Sequence, residues 1–372
     1  MLDHSNYFPT AGEDWESSGS SWSEQLQPAI NFALSNESKL DRNIQKALEN
    51  RAFAEPPPWG DIIGKTRPRE GPHGIILLKG RILTKWGDTY RPDITFSVAK
   101  SFLSLCAGLL LDDGLIPSFD CPIRDLVKDG GFDSEQNKNI TWRQMLQMTS
   151  EWTGELWGKP DQVDHNRDLT MRPSDNETKG TARRLEKPGS HWEYNDVRVN
   201  RLALALLRVA KRPLPELLKE RIMDPIGASQ TWEWHGYKNS WIELNGKQVQ
   251  SVSGGSHWGG GLFISTLDQA RMGLLMLNHG RWNGKQLLSE NYINQALKPC
   301  SINPDYGLFR WLNNSGKRLT NASRNSACAV GFGGNFIWVE PDFNLVCVAR
   351  WIEGSAFNEF CHKVLQAVRS KG

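Results

Sequence analysis

The sequence predicts an α/β (α+β) protein in which an antiparallel sheet, flanked by N- and C-terminal helices, carries an inserted all-helical lobe. Apparent β-hairpins lie near both ends of the chain, at 74–86 and at 335–351. Helical spacing of apolar residues dominates between them. We therefore expect a discontinuous α/β lobe formed by residues 1–96 and 252–372, and a mainly helical lobe over residues 97–251. A chain of 372 residues is long enough for two such lobes.

The individual elements follow from local signals. Apolar residues at helical spacing over 25–51 predict helix with a break near 35–36, and three prolines from Pro56 end it. Capping boxes predict helix starts at Thr141 and Thr266. Residues 17–23 are expected to be irregular, and the polar stretch 154–187 to be a long loop over the site. Further helices are predicted over three segments: 197–209, 215–223 and 356–368.

The strongest chemical signal is the run Ser97-Val98-Ala99-Lys100 at the start of an apolar helical stretch. Residues three apart share a helix face, so the Lys100 amine can reach the Ser97 hydroxyl. A desolvated lysine can take the proton that makes a serine nucleophilic. At a first helical turn, Ser97 would also lie where backbone N–H groups stabilise an oxyanion. The run predicts serine–lysine acyl transfer, although Ser-x-x-Lys also occurs by chance on solvated helices.

Composition excludes several other classes of function. The chain has 44 basic and 42 acidic residues, a balance too even to indicate nucleic acid or an anionic membrane as partner. The N terminus lacks the basic and apolar regions of a signal peptide, and no apolar run is long enough for a membrane span. Six scattered cysteines without Cys-x-x-Cys spacing suggest a reduced, cytoplasmic protein. The histidines show no metal-binding spacing, so we predict no metal and no cofactor.

The order of three motifs resembles a known superfamily. Ser97-x-x-Lys100 is followed by a Pro-Gly-x-x-x-x-Tyr-x-Asn/Asp run that ends at Tyr194 and Asp196, and by a Gly-rich strand at 329–334. This order is similar to that of the penicillin-recognising serine hydrolases, which include class C β-lactamases, DD-peptidases, family VIII carboxylesterases and 6-aminohexanoate-dimer hydrolase. The resemblance extends from about residue 74 to the end of the chain.

The resemblance implies roles for specific residues. Tyr194 would relay protons between Ser97, Lys100 and the leaving group. The N–H groups of Ser97 and Phe332 would form the oxyanion hole, with Gly331 beside the substrate. A structural alternative is that Tyr194 is a core aromatic residue with a bonded hydroxyl.

Two departures from the family pattern bear on the substrate. Asp196 replaces an asparagine, and a carboxylate cannot donate a hydrogen bond to a substrate amide. Ala329 stands where the third motif has a cation that binds a substrate carboxylate. Both changes lead us to expect poor turnover of β-lactams and a preference for uncharged esters or amides.

Three further residues are candidate contacts with the substrate. His257, in a Gly-rich segment, could contact substrate or serve as a structural hydrogen-bonding group. Trp152 or Trp157 could wall the acyl pocket, although most tryptophans are core residues. The triplet at 174–176, Ser-Asp-Asn, matches the second motif of class A β-lactamases, but its charged surroundings indicate a solvated turn.

The sequence therefore predicts a cytoplasmic serine hydrolase of the carboxylesterase and amidase type, acting on a small ester or amide through an acyl-enzyme. A β-lactamase, a D-aminopeptidase or a DD-peptidase is the alternative within the superfamily. A catalytically silent ligand-binding protein of the same fold is the alternative from another class. The expected partner is a small-molecule substrate, with no nucleic acid and no membrane, and a homodimer is left open.

Overall fold

The computed structural model of the chain describes residues 6–11, 15–17, 22–169 and 175–370. The helices in this part are α1 (Ser23–Ser35), α2 (Ile44–Glu49), α3 (Val98–Asp112), α4 (Trp142–Leu146), α5 (Asp196–Ala210), α6 (Leu214–Leu218), α7 (Thr266–Leu277), α8 (Glu290–Ala296) and α9 (Phe357–Arg369). The strands are β1 (His73–Leu78), β2 (Arg81–Trp86), β3 (Asp93–Ile94), β4 (Glu155–Leu156), β5 (Lys159–Pro160), β6 (Glu233–Leu244), β7 (Lys247–Val252), β8 (Gly261–Ile264), β9 (Arg281–Trp282), β10 (Lys285–Gln286), β11 (Trp311–Leu312), β12 (Ala327–Gly331), β13 (Asn335–Glu340) and β14 (Leu345–Arg350).

The main sheet joins the two ends of the chain. Its order is β11-β12-β13-β14-β1-β2, and every neighbouring pair is antiparallel. Strand β1 pairs with β14 in a register that places Ile75 opposite Val348. The predicted fold class is confirmed by this sheet and by the helices that pack against it.

Alternation along the strands gives the sheet two buried faces. Ile75 and Leu77 pack into the core that contains α3 and α7, whereas Ile76 packs into the core formed with α1 and α9. Successive side chains of a strand point to opposite faces, so a strand covered on both sides is apolar throughout. This explains the continuous apolar run of β1 and places the N- and C-terminal helices together on one face.

The segment from 97 to 251 contains four of the helices and also a long hairpin. Strands β6 and β7 belong to a second sheet of order β3-β8-β6-β7, so this segment is not helical throughout. The hairpin turn is Asn245-Gly246, and both residues have positive φ, as a type I′ turn requires. The Asn-Gly pair was the sequence signal for this hairpin. The lobe boundaries at 96/97 and 251/252 stay predictions.

The remaining local predictions agree with the structure apart from small differences. Thr141 forms the predicted capping box with Gln144, whereas the N-cap of α7 is Ser265 rather than Thr266. The stretch 154–187 is largely loop but contains the short hairpin β4–β5. Within the described ranges, no helix is long and apolar enough to cross a bilayer.

Candidate active site

Ser97 lies at the N terminus of α3, directly after a strained residue. Phe96 adopts φ 49°, a left-handed conformation that is costly for a bulky side chain, and it turns the chain from β3 into the helix. Ser97 is partly exposed, whereas the neighbouring Phe96 and Val98 are buried. The backbone therefore presents this hydroxyl at the surface of an otherwise buried element.

Lys100 contacts the Ser97 hydroxyl from one turn further along the helix. Its Nζ donates to Ser97 Oγ at 2.7 Å, the contact expected from their spacing. The Lys100 side chain is only 1% exposed. Burying an ammonium is costly unless charged or polar groups surround it, so its partners decide how it can act.

Tyr194 lies next to Lys100. The Lys100 Nζ is 4.8 Å from the centroid of the Tyr194 ring. Tyr194 precedes α5, whose N-cap residue Asn195 accepts from the N–H of Arg198. The start of α5 thus fixes the position of the tyrosine, and the structure brings Ser97, Lys100 and Tyr194 together.

The end of β12 lies against the segment that leads to Ser97. A Cβ atom on Gly331 would overlap the carbonyl oxygen of Thr95, so only glycine permits this approach. Among the described residues, no oxygen accepts a hydrogen bond from the backbone N–H of Ser97 or Phe332. Two unused donors on adjoining segments are what an oxyanion hole requires. The Phe332 ring packs 4.3 Å from that of Phe53, measured between centroids.

Asp196 is the partner that neutralises Lys100. Its Oδ1 accepts from Lys100 Nζ, while its Oδ2 lies 3.0 Å from Arg167 Nη1 and 2.8 Å from His257 Nε2. Burial by itself would raise the pKa of Asp196, but His257 and Lys100 hold it well below the usual range. The Asp196 carboxylate is therefore buried in contact with Lys100, Arg167 and His257, and is not exposed in the site.

His257 is also buried between carboxylates. Its Nδ1 lies 2.9 Å from Glu55, on the side opposite Asp196, and its ring stacks on Phe53 with centroids 4.1 Å apart. Burial lowers the pKa of His257, but Asp196 and Asp164 outweigh this effect and raise it above the usual value. His257 is therefore a bridge within a buried charge network, which is the structural role that the sequence left open beside a substrate contact.

The network extends to charged residues that the sequence did not single out. Lys179 Nζ lies 3.0 Å from Glu55 Oε2 and 3.4 Å from Asp164 Oδ1, and Asp164 Oδ2 accepts from the N–H of Asp196 at 2.7 Å. Glu55 precedes the main sheet, whereas Asp164, Arg167 and Lys179 come from the 154–187 stretch. No local motif marks these residues, because only the fold brings them together.

Three groups of this network could in principle ligate a metal ion. Ligand atoms of Glu55, Asp164 and His257 lie within 4.8 Å of one another. However, Lys179 already places an ammonium against both carboxylates, and Arg167 lies 3.5 Å from Asp164. Cations at these positions repel a metal ion, so the cluster fits a balanced charge network better than a metal site.

The two candidate tryptophans lie in different surroundings, and the expectation that one of them walls the acyl pocket stays a prediction. Trp152 is buried and its Nε1 donates to the carbonyl of Gly131 at 2.7 Å. Trp157 lies at the turn between β4 and β5, where its carbonyl accepts from Asn239. The aromatic residues packed against Tyr194 are instead Trp192, Tyr306 and Trp311.

Of the 174–176 triplet, Ser174 lies outside the described residues. Asn176 is buried and accepts from the N–H of Asp168, so it is not a solvated turn residue.

Comparisons with known proteins agree with this architecture. A family model described as Beta-lactamase matches residues 94–349. A Bacillus anthracis structure, named provisionally as a 6-aminohexanoate-dimer hydrolase, is similar with a TM-score of 0.59 at 16% identity, covering 99% of this chain and 88% of that one. A family VIII carboxylesterase structure is similar with a TM-score of 0.56 at 14% identity, covering 91% of this chain and 97% of that one. A Mycobacterium bovis β-lactamase structure is similar with a TM-score of 0.56 at 18% identity, covering 80% of this chain and 94% of that one. No protein with a curated description matches the sequence.

Proposed function

The chain belongs to the β-lactamase family, whose members are generally serine hydrolases, and we propose that it cleaves a small ester or amide through an acyl-enzyme on Ser97. The observation that carries this proposal is the 2.7 Å hydrogen bond from the buried Lys100 Nζ to Ser97 Oγ. The partial exposure of Ser97, at the end of an otherwise buried segment, supports it further.

The proposed reaction has two steps, acylation of Ser97 and hydrolysis of the acyl-enzyme. Ser97 Oγ attacks the substrate carbonyl carbon while its proton passes to the Tyr194 phenolic oxygen and the phenolic proton passes to the leaving group, with Lys100 donating a hydrogen bond to Ser97. The oxyanion accepts hydrogen bonds from the N–H groups of Ser97 and Phe332. Collapse of the tetrahedral intermediate releases the protonated leaving group and leaves an ester on Ser97. Water then attacks that ester by the reverse proton path and regenerates the hydroxyl.

The buried network supports this scheme electrostatically. Glu55, Asp164 and Asp196 supply three carboxylates, which face Lys100, Arg167 and Lys179, with His257 between two of them. Such a network keeps Lys100 in one position without strong net charge beside the substrate carbonyl. Preorganised charges of this kind lower the cost of reorganisation during reaction.

The test is covalent labelling combined with turnover. We expect a fluorophosphonate probe to form a phosphonate ester with Ser97 Oγ, with loss of fluoride, and mass spectrometry to locate it on the Ser97 peptide. We expect Ser97→Ala to lose both labelling and 4-nitrophenyl butyrate hydrolysis. The matched control is Ser190→Ala, since Ser190 is exposed and its hydroxyl donates to the Lys187 carbonyl at 2.7 Å.

Each outcome decides between the alternatives. Wild-type turnover by Ser97→Ala would refute Ser97 as nucleophile. Absence of both labelling and turnover in the folded wild-type protein would favour the catalytically silent ligand-binding protein.

A further inference from the structure

A cavity of about 50 Å³ lies between α7 and the main sheet, on the face of the sheet that also packs against α3. Most of its walls are apolar side chains from α7, β12 and β13, among them Met272, Met276, Ala327, Ala329, Ile337 and Val339. The exposed residues His279 and Asn325 line its outer end. This volume is about a third of the roughly 150 Å³ that encloses a benzene molecule, so the cavity suits a ligand of only a few heavy atoms.

Arg310 also lines this cavity, with a side chain that is almost completely buried. The residue is 3% exposed, and its Nε and Nη2 have no hydrogen-bond partner in the part of the chain that the structure describes. These two nitrogens lie on one edge of the planar guanidinium and form a fork of donors. The Tyr292 hydroxyl is a polar neighbour of the same side chain, and it lies 2.9 Å from Ser104 Oγ. The fork itself therefore keeps its capacity to bind an acceptor.

The positive charge of Arg310 is also uncompensated. No carboxylate of the described residues forms an ion pair with it. Burial lowers the pKa of Arg310, and the nearby Tyr292 only partly offsets this. Because an arginine stays protonated in proteins, a charge is buried here without a counter-charge. Such burial is costly, and an anion bound beside the guanidinium would remove much of that cost.

Arg350 shows how a buried guanidinium is otherwise accommodated in this fold. It is 1% exposed, yet each of its three nitrogens donates a hydrogen bond. The acceptors are the Asn335 side chain and the carbonyls of Ile264 and Ile94. Arg310 is buried to nearly the same extent but has no such set of acceptors for its Nε and Nη2, so its side chain is suited to a ligand from outside the chain.

The backbone before Arg310 is held in a fixed conformation. Phe309 has φ 53°, a left-handed conformation that is costly for a bulky side chain. Its N–H donates to the Leu146 carbonyl at 2.9 Å, and its carbonyl accepts from Ser101 Oγ at 2.8 Å. These bonds hold the strained turn that leads to Arg310. A cation fixed in this way binds a ligand without first losing much conformational freedom.

We propose that Arg310 and this cavity form a binding site for a small monovalent inorganic anion such as chloride. The cavity is separate from the candidate active site. Its walls on β12 are Ala327 and Ala329, and its outer end lies by Asn325, whereas Gly331 at the opposite end of the strand approaches Thr95 before Ser97. The proposal goes beyond the proposed function and does not depend on it.

Size, charge and wall chemistry together favour an anion of this class. The single guanidinium charge balances one negative charge, so a divalent anion would leave an excess buried in the cavity. The apolar walls offer few groups to replace the hydration shell of a strongly hydrated ion such as sulfate. A weakly hydrated halide needs little beyond the two N–H donors of the fork, and it fits the volume.

The experiment measures chloride binding by the width of the ³⁵Cl NMR signal, which broadens when chloride exchanges with a protein site. Sodium chloride is titrated at constant ionic strength against sodium gluconate. The proteins are wild type, Arg310→Met, Ala327→Leu and the control Arg324→Met, and circular dichroism checks that each is folded. Ala327→Leu fills the cavity and keeps Arg310, whereas Arg324 is an exposed cation next to Asn325 and reports on general attraction of anions.

We expect the wild-type protein to show a saturable excess width that bromide reverses and that sulfate leaves unchanged. Arg310→Met should lower the affinity for chloride by at least about 10-fold, as for loss of a charge-assisted hydrogen bond. Ala327→Leu should lower it as well, and Arg324→Met should have no effect.

Absence of a saturable excess width in the folded wild-type protein would overturn the inference. So would an excess width that stays unchanged in Arg310→Met, or in Ala327→Leu if Arg310→Met does not fold. An equal loss in Arg324→Met would show general attraction of anions in place of a built site. None of these results depends on turnover of an ester, so the proposed function is tested separately.

Discussion

Lys100 and Asp196 form an ion pair in which each side chain is only 1% exposed, and the same Lys100 donates to the hydroxyl of Ser97. The candidate nucleophile is therefore linked through one ammonium to a carboxylate that also contacts Arg167 and His257. Asp196 therefore affects Ser97 through Lys100, although its place in the motif predicted a contact with substrate.

Asp196→Asn should destabilise the protein. The amide would leave Lys100, Arg167 and His257 buried without the carboxylate that compensates them, and breaking a buried pair costs about 3–5 kcal/mol. Urea unfolding measures the change in the free energy of unfolding. The control is Asp224→Asn, which breaks the exposed 2.7 Å pair with Lys219 and should cost less than about 1 kcal/mol. Equal effects of the two substitutions would contradict the role given to the buried pair.

Tyr194→Phe should reduce kcat for 4-nitrophenyl butyrate by about 10²–10⁴-fold, because it removes one positioned proton-transfer group. The ring contacts with Lys100 and Trp311 are kept, so thermal unfolding should change little. The matched control is Tyr306→Phe, a neighbouring buried tyrosine with its ring centroid 6.3 Å from that of Tyr194. If Tyr306→Phe were the more damaging change, the proton relay would have to be assigned to Tyr306.

Gly255→Ala should disturb the ion pair without removing any charge. A Cβ atom at this position would overlap Asp196 Oδ1 and lie 3.1 Å from Lys100 Nζ. Relief of this overlap would move the Asp196 carboxylate or Lys100. A displacement of about 1 Å in a preorganised site can reduce turnover by about 100-fold. Steady-state kinetics on 4-nitrophenyl butyrate measures the loss. Gly354→Ala is the control, since a Cβ atom there meets nothing within 4 Å; comparable losses in both variants would exclude the explanation.

His73 should make stability depend on pH between about 4 and 6.5. Burial, followed by the charge of Arg350, lowers the pKa of His73 from 6.5 to about 4. In this window the unfolded chain binds the proton more readily than the folded protein, so stability falls as the pH falls. The loss attributable to His73 is about 3 kcal/mol over the whole window.

The measurement is urea unfolding of wild type and His73→Gln at pH 6.5, 5 and 4. The variant should lose less stability than the wild type over this range, because it has no proton to bind at that position. Parallel stability curves for the two proteins would show that another group causes the acid sensitivity.

Much of the fold was readable from local patterns. The hairpins at 74–86 and 335–351 show β-rich runs with turns between them, and helix α5 shows its apolar periodicity and an Asn195 cap. The β6–β7 hairpin was not predicted, although the pair Asn245-Gly246 is a typical hairpin turn. The strands around this turn are only partly buried and lack a clear alternation of apolar and polar residues.

The candidate site likewise combines contacts that the sequence predicts with contacts that only tertiary packing creates. The sequence by itself determined the contact of Ser97 with Lys100, because one helical turn separates them and helical geometry is local. Only the tertiary structure decided that Asp196 and His257 lie buried with Glu55, and that Trp311 stacks on Tyr194. Those residues come from segments far apart in the chain, and the burial that gives charges their partners arises when sheet, helices and loops pack together. Such contacts have no periodicity to read, since they depend on the distance between elements and not on spacing within one.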